Sequence, residues 1–231
     1  MSRVAILQSN YLPWKGYFDI IQGVDLFIFH DDLQYTKGDW RNRNRIKTPK
    51  GSEWITVPCG TSENRLICEV ELSEPKWQRK HWSVISAHYQ KAPFFKDYKA
   101  FFENFFLERV WTNLSDMNQY FIKSVSRDIL KISTQFDDSR RYDLDSRKED
   151  RVIDLLTRVS ATTYVSGPSA KSYLTPSRFE RLGIDLEWAD YTKYIEYPQQ
   201  HPPFEHAVSI IDLIFNVGPD ALEYLSAVKR P

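Results

Sequence analysis

Only two cysteines, Cys59 and Cys68, occur in 231 residues. That is too few for a disulfide scaffold, and they form neither a C-x-x-C pair nor a Cys/His zinc spacing. No metal site is therefore expected. Cys59, after Pro58, is a candidate nucleophile by position alone, with no supporting motif around it. No uncharged apolar run approaches the roughly 18–20 residues of a membrane helix, so no membrane insertion is expected. The apolar run Val4-Ala5-Ile6-Leu7 breaks into Gln8-Ser9-Asn10 too early for a secretory h-region. The expectation is a cytoplasmic protein with reduced thiols. Charge of one sign is also missing: 31 Lys plus Arg balance 31 Asp plus Glu. That balance argues against a generally basic nucleic-acid binder, and no nucleic-acid partner is expected. There is no internal repeat, no low-complexity linker, and no G-x-S-x-G, G-x-G-x-x-G or P-loop motif.

What is present suits a packed domain. Aromatic residues make up 15% of the chain, with 7 Trp, 13 Tyr and 14 Phe. They supply ample core and stacking surface. Residues 4–7 read as a strand, 17–23 as a helix and 24–29 as a second strand ending at His30-Asp31-Asp32. Strand, loop, helix, strand within thirty residues is a βαβ unit, which makes parallel strands. Residues 53–58 and 67–72 read as two further strands. From Ser73 the period becomes helical, with Trp77, His81, Val84, Ile85 and His88 on one face, then 98–111 and 117–132. His81 and His88 read as packing residues. The polar stretch 137–150 reads as a loop into a helix at 151–159. Strands are predicted at 162–165 and 185–188, and an apolar helix at 204–215. The expected fold is one domain, 1–231: an α/β, parallel Rossmann-like core from 1–75 and 145–231, with a helical insertion at 76–144.

In open parallel sheets, ligands bind beyond the carboxyl ends of the strands, where loops converge. The predicted strands end in Gln8-Ser9-Asn10, in His30-Asp31-Asp32 and in Ser166-Gly167. His30 is the candidate general base, oriented by Asp31 or Asp32. Residues 37–50 hold six basic residues against one acid. The alternation Arg41, Arg43, Arg45 would set three guanidiniums on one face of an extended segment, with Asn42 and Asn44 on the other. Arginines bind phosphate oxygens bidentately, so a phosphorylated ligand such as a nucleotide or nucleotide sugar is expected. The competing explanation is a solvated charge run.

Three blocks carry a resemblance. They are Gln8-Ser9-Asn10-Tyr11-Leu12-Pro13-Trp14-Lys15-Gly16-Tyr17-Phe18, His30-Asp31-Asp32-Leu33-Gln34-Tyr35-Thr36-Lys37 and Trp40-Arg41-Asn42-Arg43-Asn44-Arg45-Ile46-Lys47. With Trp54-Ile55-Thr56-Val57-Pro58, Tyr164-Val165-Ser166-Gly167 and Ser209-Ile210-Ile211-Asp212, the chain resembles the WbqC-like protein family over nearly its whole length. The resemblance implies a role in bacterial O-antigen and related surface-polysaccharide pathways, transferring glycine or another acyl group to an amino sugar. It also carries Asp32, Gln34 and Lys37 into the candidate site with the other motif residues. A second likeness concerns fold. The strand, the loop to Gly16 and the helix look like the opening of the HIGH-motif nucleotidyltransferases, with Tyr17 where that motif has histidine.

The leading reading is thus an acyl or aminoacyl transferase forming an amide on an amino sugar carried by a nucleotide. Its donor would be an acyl-coenzyme A or a carrier-protein thioester, making an acyl carrier protein a candidate partner. His30 with Asp31 would serve as base, and Asn10 and Gln8 as oxyanion or orienting donors. Arg41, Arg43, Arg45 and Lys47 would hold phosphates, while Tyr11, Trp14 or Trp40 would stack on a ring. The alternatives are an ATP- and magnesium-dependent adenylate-forming or nucleotidyl-transfer enzyme, and a non-catalytic nucleotide-sugar-binding or scaffold protein.

Overall fold

The computed structural model describes residues 2–72 and 75–226. Met1, Ser73, where the period changes, and the last residues of the chain lie outside them. The core is a five-stranded parallel sheet. Its strands are β1 (Arg3–Leu7), β2 (Leu26–Phe29), β5 (Gln135–Asp138), β6 (Thr163–Ser166) and β7 (Asp185–Trp188), in the order β5-β2-β1-β6-β7. The chain builds outward from β1 to β2 and β5, then returns to the other side of β1 for β6 and β7. The order therefore reverses between β1 and β6, the doubly wound, Rossmann-like arrangement expected from the βαβ reading.

Side-chain alternation along each strand divides two cores. Val4, Ile6, Ile28 and Tyr164 face α5 (Lys148–Arg158) and Phe179 of α6 (Pro176–Glu180). Ala5, Phe27, Phe29 and Val165 face the larger core. That core takes in α1 (Lys15–Gln22), α2 (Lys76–Tyr89), α3 (Phe95–Glu103), α4 (Leu114–Ser124) and α7 (Ile210–Val217). A buried stack of Trp82 on Phe95, Phe102 and Phe106 joins α2 to α3 and the π-turn beyond it.

The structure departs from the sequence reading at three points. β5 falls inside 76–144, so that segment is not wholly a helical insertion; it carries an edge strand of the sheet. Gln-Phe-Asp-Asp has one apolar residue in four, too few for a period to register. Residues 67–72 do not form a strand: Ile67–Glu69 is a 3-10 turn closed by Glu69 accepting from the Leu66 N–H at 2.8 Å. The second strand pair is instead the antiparallel hairpin β3 (Arg43–Thr48) and β4 (Gly51–Thr56). Finally, the last helix begins at Ile210, capped by Ser209, and not at 204.

Between β1 and α1, residues 8–14 form a clamped loop. The Asn44 amide donates to the Tyr11 and Leu12 carbonyls at 3.1 and 2.8 Å, holding Leu12 at φ 43°. Such a backbone costs energy for a leucine and persists only when neighbours over-determine it. At the loop's end, the Trp14 indole lies across Gly16, and a Cβ at Gly16 would sit 2.3 Å from its Cζ2. Alanine usually stabilises a helix by up to ~1 kcal/mol over glycine. Here the sign reverses: Gly16→Ala is expected to cost roughly 1–3 kcal/mol through overpacking. Urea denaturation reads this directly, and an unchanged or raised stability would show that the indole yields without cost.

Candidate functional site

A cleft of about 920 Å³ opens where the strand order reverses. One side is built from the ends of β1 and β6, with Gln8, Asn10, Ser166 and Gly167, and from His30 and Arg41. The facing wall is the start of α5, residues 147–152, with Ser169, Tyr173 and Arg178 beyond it. Five basic side chains, Arg41, Arg147, Lys148, Arg151 and Arg178, meet two acids, Glu149 and Asp150. Both acids are engaged by Arg178, at 2.8 and 2.6 Å, which ties α6 to the first turn of α5. The cleft is therefore net cationic within a neutral chain.

His30 sits in this cleft with its chemistry constrained. Arg151 Nε donates to His30 Nε2 at 3.0 Å. A guanidinium has no acceptor, so Nε2 is the unprotonated nitrogen and Nδ1 carries the hydrogen. Burial lowers the His30 pKa to about 4, with the Asp32 charge opposing and the Arg151 charge adding. The imidazole is thus neutral at pH 7, and its one lone pair is already taken. Arg151 is itself pinned: it donates to the Leu144 and Ser146 carbonyls at 2.5 and 3.2 Å and pairs with Asp32.

Asp31 does not orient His30. Its carboxylate is fully buried on the other face, accepting from Ser9 N–H at 2.7 Å, Ser115 Oγ at 2.5 Å and Gln119 Nε2 at 3.2 Å. Burial raises its pKa, with those donors opposing. Its work is to fasten the ends of β1 and β2 to α4. Asp32 is the acid beside His30, at 3.9 Å, and it also accepts from Ser139 Oγ.

The arginine run divides. Arg41 enters the cleft, donating to Asn10 Oδ1 at 3.1 Å and pairing with Asp39 at 2.9 Å. Arg43 and Arg45 instead flank Trp54 across the hairpin, at 4.3 and 5.6 Å from its ring. The alternation does hold, because Asn42 and Asn44 are buried on the opposite face. Both serve the backbone, Asn42 donating to Val57 O at 2.9 Å and Asn44 to the clamped loop. Lys47 is buried and donates to Pro203 O, away from the cleft. Gln34 pairs with Leu66 in an isolated bridge, and the Lys37 side chain points to solvent. Tyr11 is a core residue, bonded through its hydroxyl to His81 Nδ1 at 2.7 Å. Cys59 is no nucleophile as placed, since burial pushes its thiol up to about 11.

The residues missed from sequence are those of the facing wall: Arg147, Lys148, Arg151 and Arg178. Arg151 carried a signal. It stands four residues before Leu155 and beside Val152 on the buried side of α5, where a charge is unusual without a partner.

Among the described residues, no group of three or more His, Cys, Asp or Glu is placed to hold a metal ion. Among them too, no helix is long and apolar enough to cross a membrane. A doubly wound parallel sheet with a cationic cleft at its switch point defines the class: an α/β protein of Rossmann-like architecture, with its cleft at the position where such sheets take ligands. The sequence profile of the WbqC-like protein family matches residues 8–224, and the chain belongs to that family. It is 44% identical over 232 residues, spanning 100% of both chains, to a relative named Uncharacterized protein Rv1507c from Mycobacterium tuberculosis (strain ATCC 25618 / H37Rv). No solved structure matches the chain.

Proposed function

We propose that the cleft binds an amino sugar carried on a nucleotide diphosphate and that the protein acylates the sugar amine. The observation that carries this reading is the cationic cleft itself, placed at the switch point and large enough for a nucleotide. Arg41, with Arg147 and Lys148 on the facing wall, is suited to phosphate oxygens. The family resemblance to surface-polysaccharide proteins points to the same substrate class.

In the transfer, the neutral amine attacks the carbonyl carbon of a thioester, from coenzyme A or a carrier protein. A C–N bond forms, the C–S bond breaks, and the thiolate leaves while the amine gives up a proton to solvent. The carbonyl oxygen gains charge on the way and needs donors. With Nε2 occupied, His30 has only its Nδ1–H left to give, and in this reading it acts as a donor, not as the base. Asn10 complements it: Arg41 fixes its Oδ1, which leaves the amide N–H₂ to donate.

Calorimetry and thermal shift with UDP-glucosamine test the proposal. Ligand at 100 times its dissociation constant should add roughly 2.7 kcal/mol of stability. Arg41→Ala should weaken binding about tenfold or more, the worth of a charge-assisted bond. Stabilisation by ATP with magnesium alone would favour the nucleotidyl-transfer alternative. Binding without turnover against coenzyme A and carrier-protein thioesters would favour the non-catalytic one. Silence toward every nucleotide sugar would remove the proposal.

A further inference from the structure

A second cavity, of about 250 Å³, adjoins the cleft. It is lined by Asn10, Trp14, Trp40, Asn44, Arg45 and Ala207. Asn10 lines both spaces, so one residue forms their common wall. The two differ in chemistry. The cleft carries several charges of both signs, whereas the small cavity is walled by two indoles with one guanidinium, Arg45, and two amides at its edges.

Those indoles are held in place by their surroundings. Trp14 packs edge-on against Tyr191 and Tyr194, with ring centres 4.8 and 5.9 Å away. Trp40 leans on Trp54 at 5.3 Å, and the Arg43 guanidinium covers the Trp54 ring from beyond. Even so, Trp40 remains 40% exposed and Trp54 46% exposed. Large rings packed on neighbouring rings yet open to water beside such a cleft suit a stacking platform. Arg45 Nε is buried there without a hydrogen-bond partner among the described residues.

We infer that this cavity is a saccharide subsite, in which the hexosamine ring of the substrate packs its C–H face on Trp40. The inference rests on the reading of the cleft as the nucleotide diphosphate site. The volume suits one pyranose ring, and its hydroxyls would meet Asn10 and Arg45. The nucleotide and its phosphates stay in the larger cleft, and Asn10 stands at the junction where the sugar joins the phosphate.

The test compares UDP with UDP-glucosamine on the full chain by calorimetry. Trp40→Ala is expected to weaken UDP-glucosamine at least tenfold while changing UDP less than twofold, and Trp40→Phe should recover part of the loss. The Trp40 carbonyl, which accepts from Tyr11 N–H at 2.9 Å, is untouched by these substitutions. Its backbone tie to the loop therefore survives, and a melting curve for each variant checks the fold. Equal weakening of UDP and UDP-glucosamine would place the base, not the sugar, on Trp40 and overturn the inference. So would unchanged affinity for both. If the wild-type protein binds neither, the cleft reading fails first and the subsite falls with it.

Discussion

Replacing Arg151 by leucine should lower the melting temperature by roughly 6–20 °C. The figure comes from two steps. Removing one partner of a largely buried ion pair costs about 3–5 kcal/mol, because the other charge stays buried. For a domain of this size each kcal/mol moves the midpoint by roughly 2–4 °C. Arg151 is unusually exposed to this loss, since it serves Asp32, His30 and two carbonyls of the loop before α5 at once. The same substitution should raise the His30 pKa. It frees Nε2, removes a neighbouring positive charge and leaves Asp32 to favour the imidazolium. NMR titration of the imidazoles reads this, and with only five histidines in the chain the signals are separable. Arg151→Lys keeps the charge but replaces the planar fork with a point donor, so it should fall between the two. A leucine variant within ~2 °C of wild type, or an unmoved His30, would show that Arg151 is not the clamp described.

That role was only half legible in the sequence. β1, β2, β6 and β7 were readable because short β-branched and aromatic runs ended at polar turns, and β7 was placed at its observed bounds. The convergence of Gln8, Asn10, His30, Ser166 and Gly167 followed from strand ends in a parallel sheet. The divergence of His30 and Asp31 was also available. Ile28 and Phe29 face opposite cores, and continuing the alternation sends His30 with Ile28 and Asp31 with Phe29. Proximity in sequence suggested a dyad that strand geometry forbids. The far wall was harder. Residues 147–151 sit at the end of a polar stretch that reads as solvated loop, and only the packing of α5 under β1 and β6 turns those charges inward. The arginine run misled for a related reason. Alternation correctly grouped Arg43 and Arg45, but the partner of that face was Trp54, nine residues beyond Arg45 across a hairpin that local pattern alone did not pair.

Acidification should destabilise the protein between about pH 6.5 and 4, through its two buried neutral histidines. Burial lowers both His30 and His81 to about 4. In the unfolded chain each returns to about 6.5, so below that pH the unfolded state binds more protons than the folded one. Stability is therefore full above pH 6.5 and falls as the pH drops toward 4, by up to ~1.4 kcal/mol per pH unit for each histidine. Asp31 and Asp212 work the other way. Burial raises both, so the folded state takes up their protons first and gains stability as they protonate. The net slope is thus smaller than two histidines alone would give, and subtraction isolates one contribution. His81 accepts from the Tyr11 hydroxyl and donates to the Thr56 carbonyl, and it does not line the charged cleft. Urea unfolding of His81→Gln at pH 7, 6 and 5 should show a lower stability at pH 7 but a slope shallower by up to ~1.4 kcal/mol per unit. Parallel slopes for variant and wild type would mean that His81 is not buried as a neutral base. The same arithmetic bears on the cleft. His30 stays uncharged from pH 6 to 8, so its titration adds no charge to the cleft there, and a change in affinity for UDP-glucosamine across that window is expected from the ligand's amine, because a doubly esterified diphosphate has no proton to lose in that range.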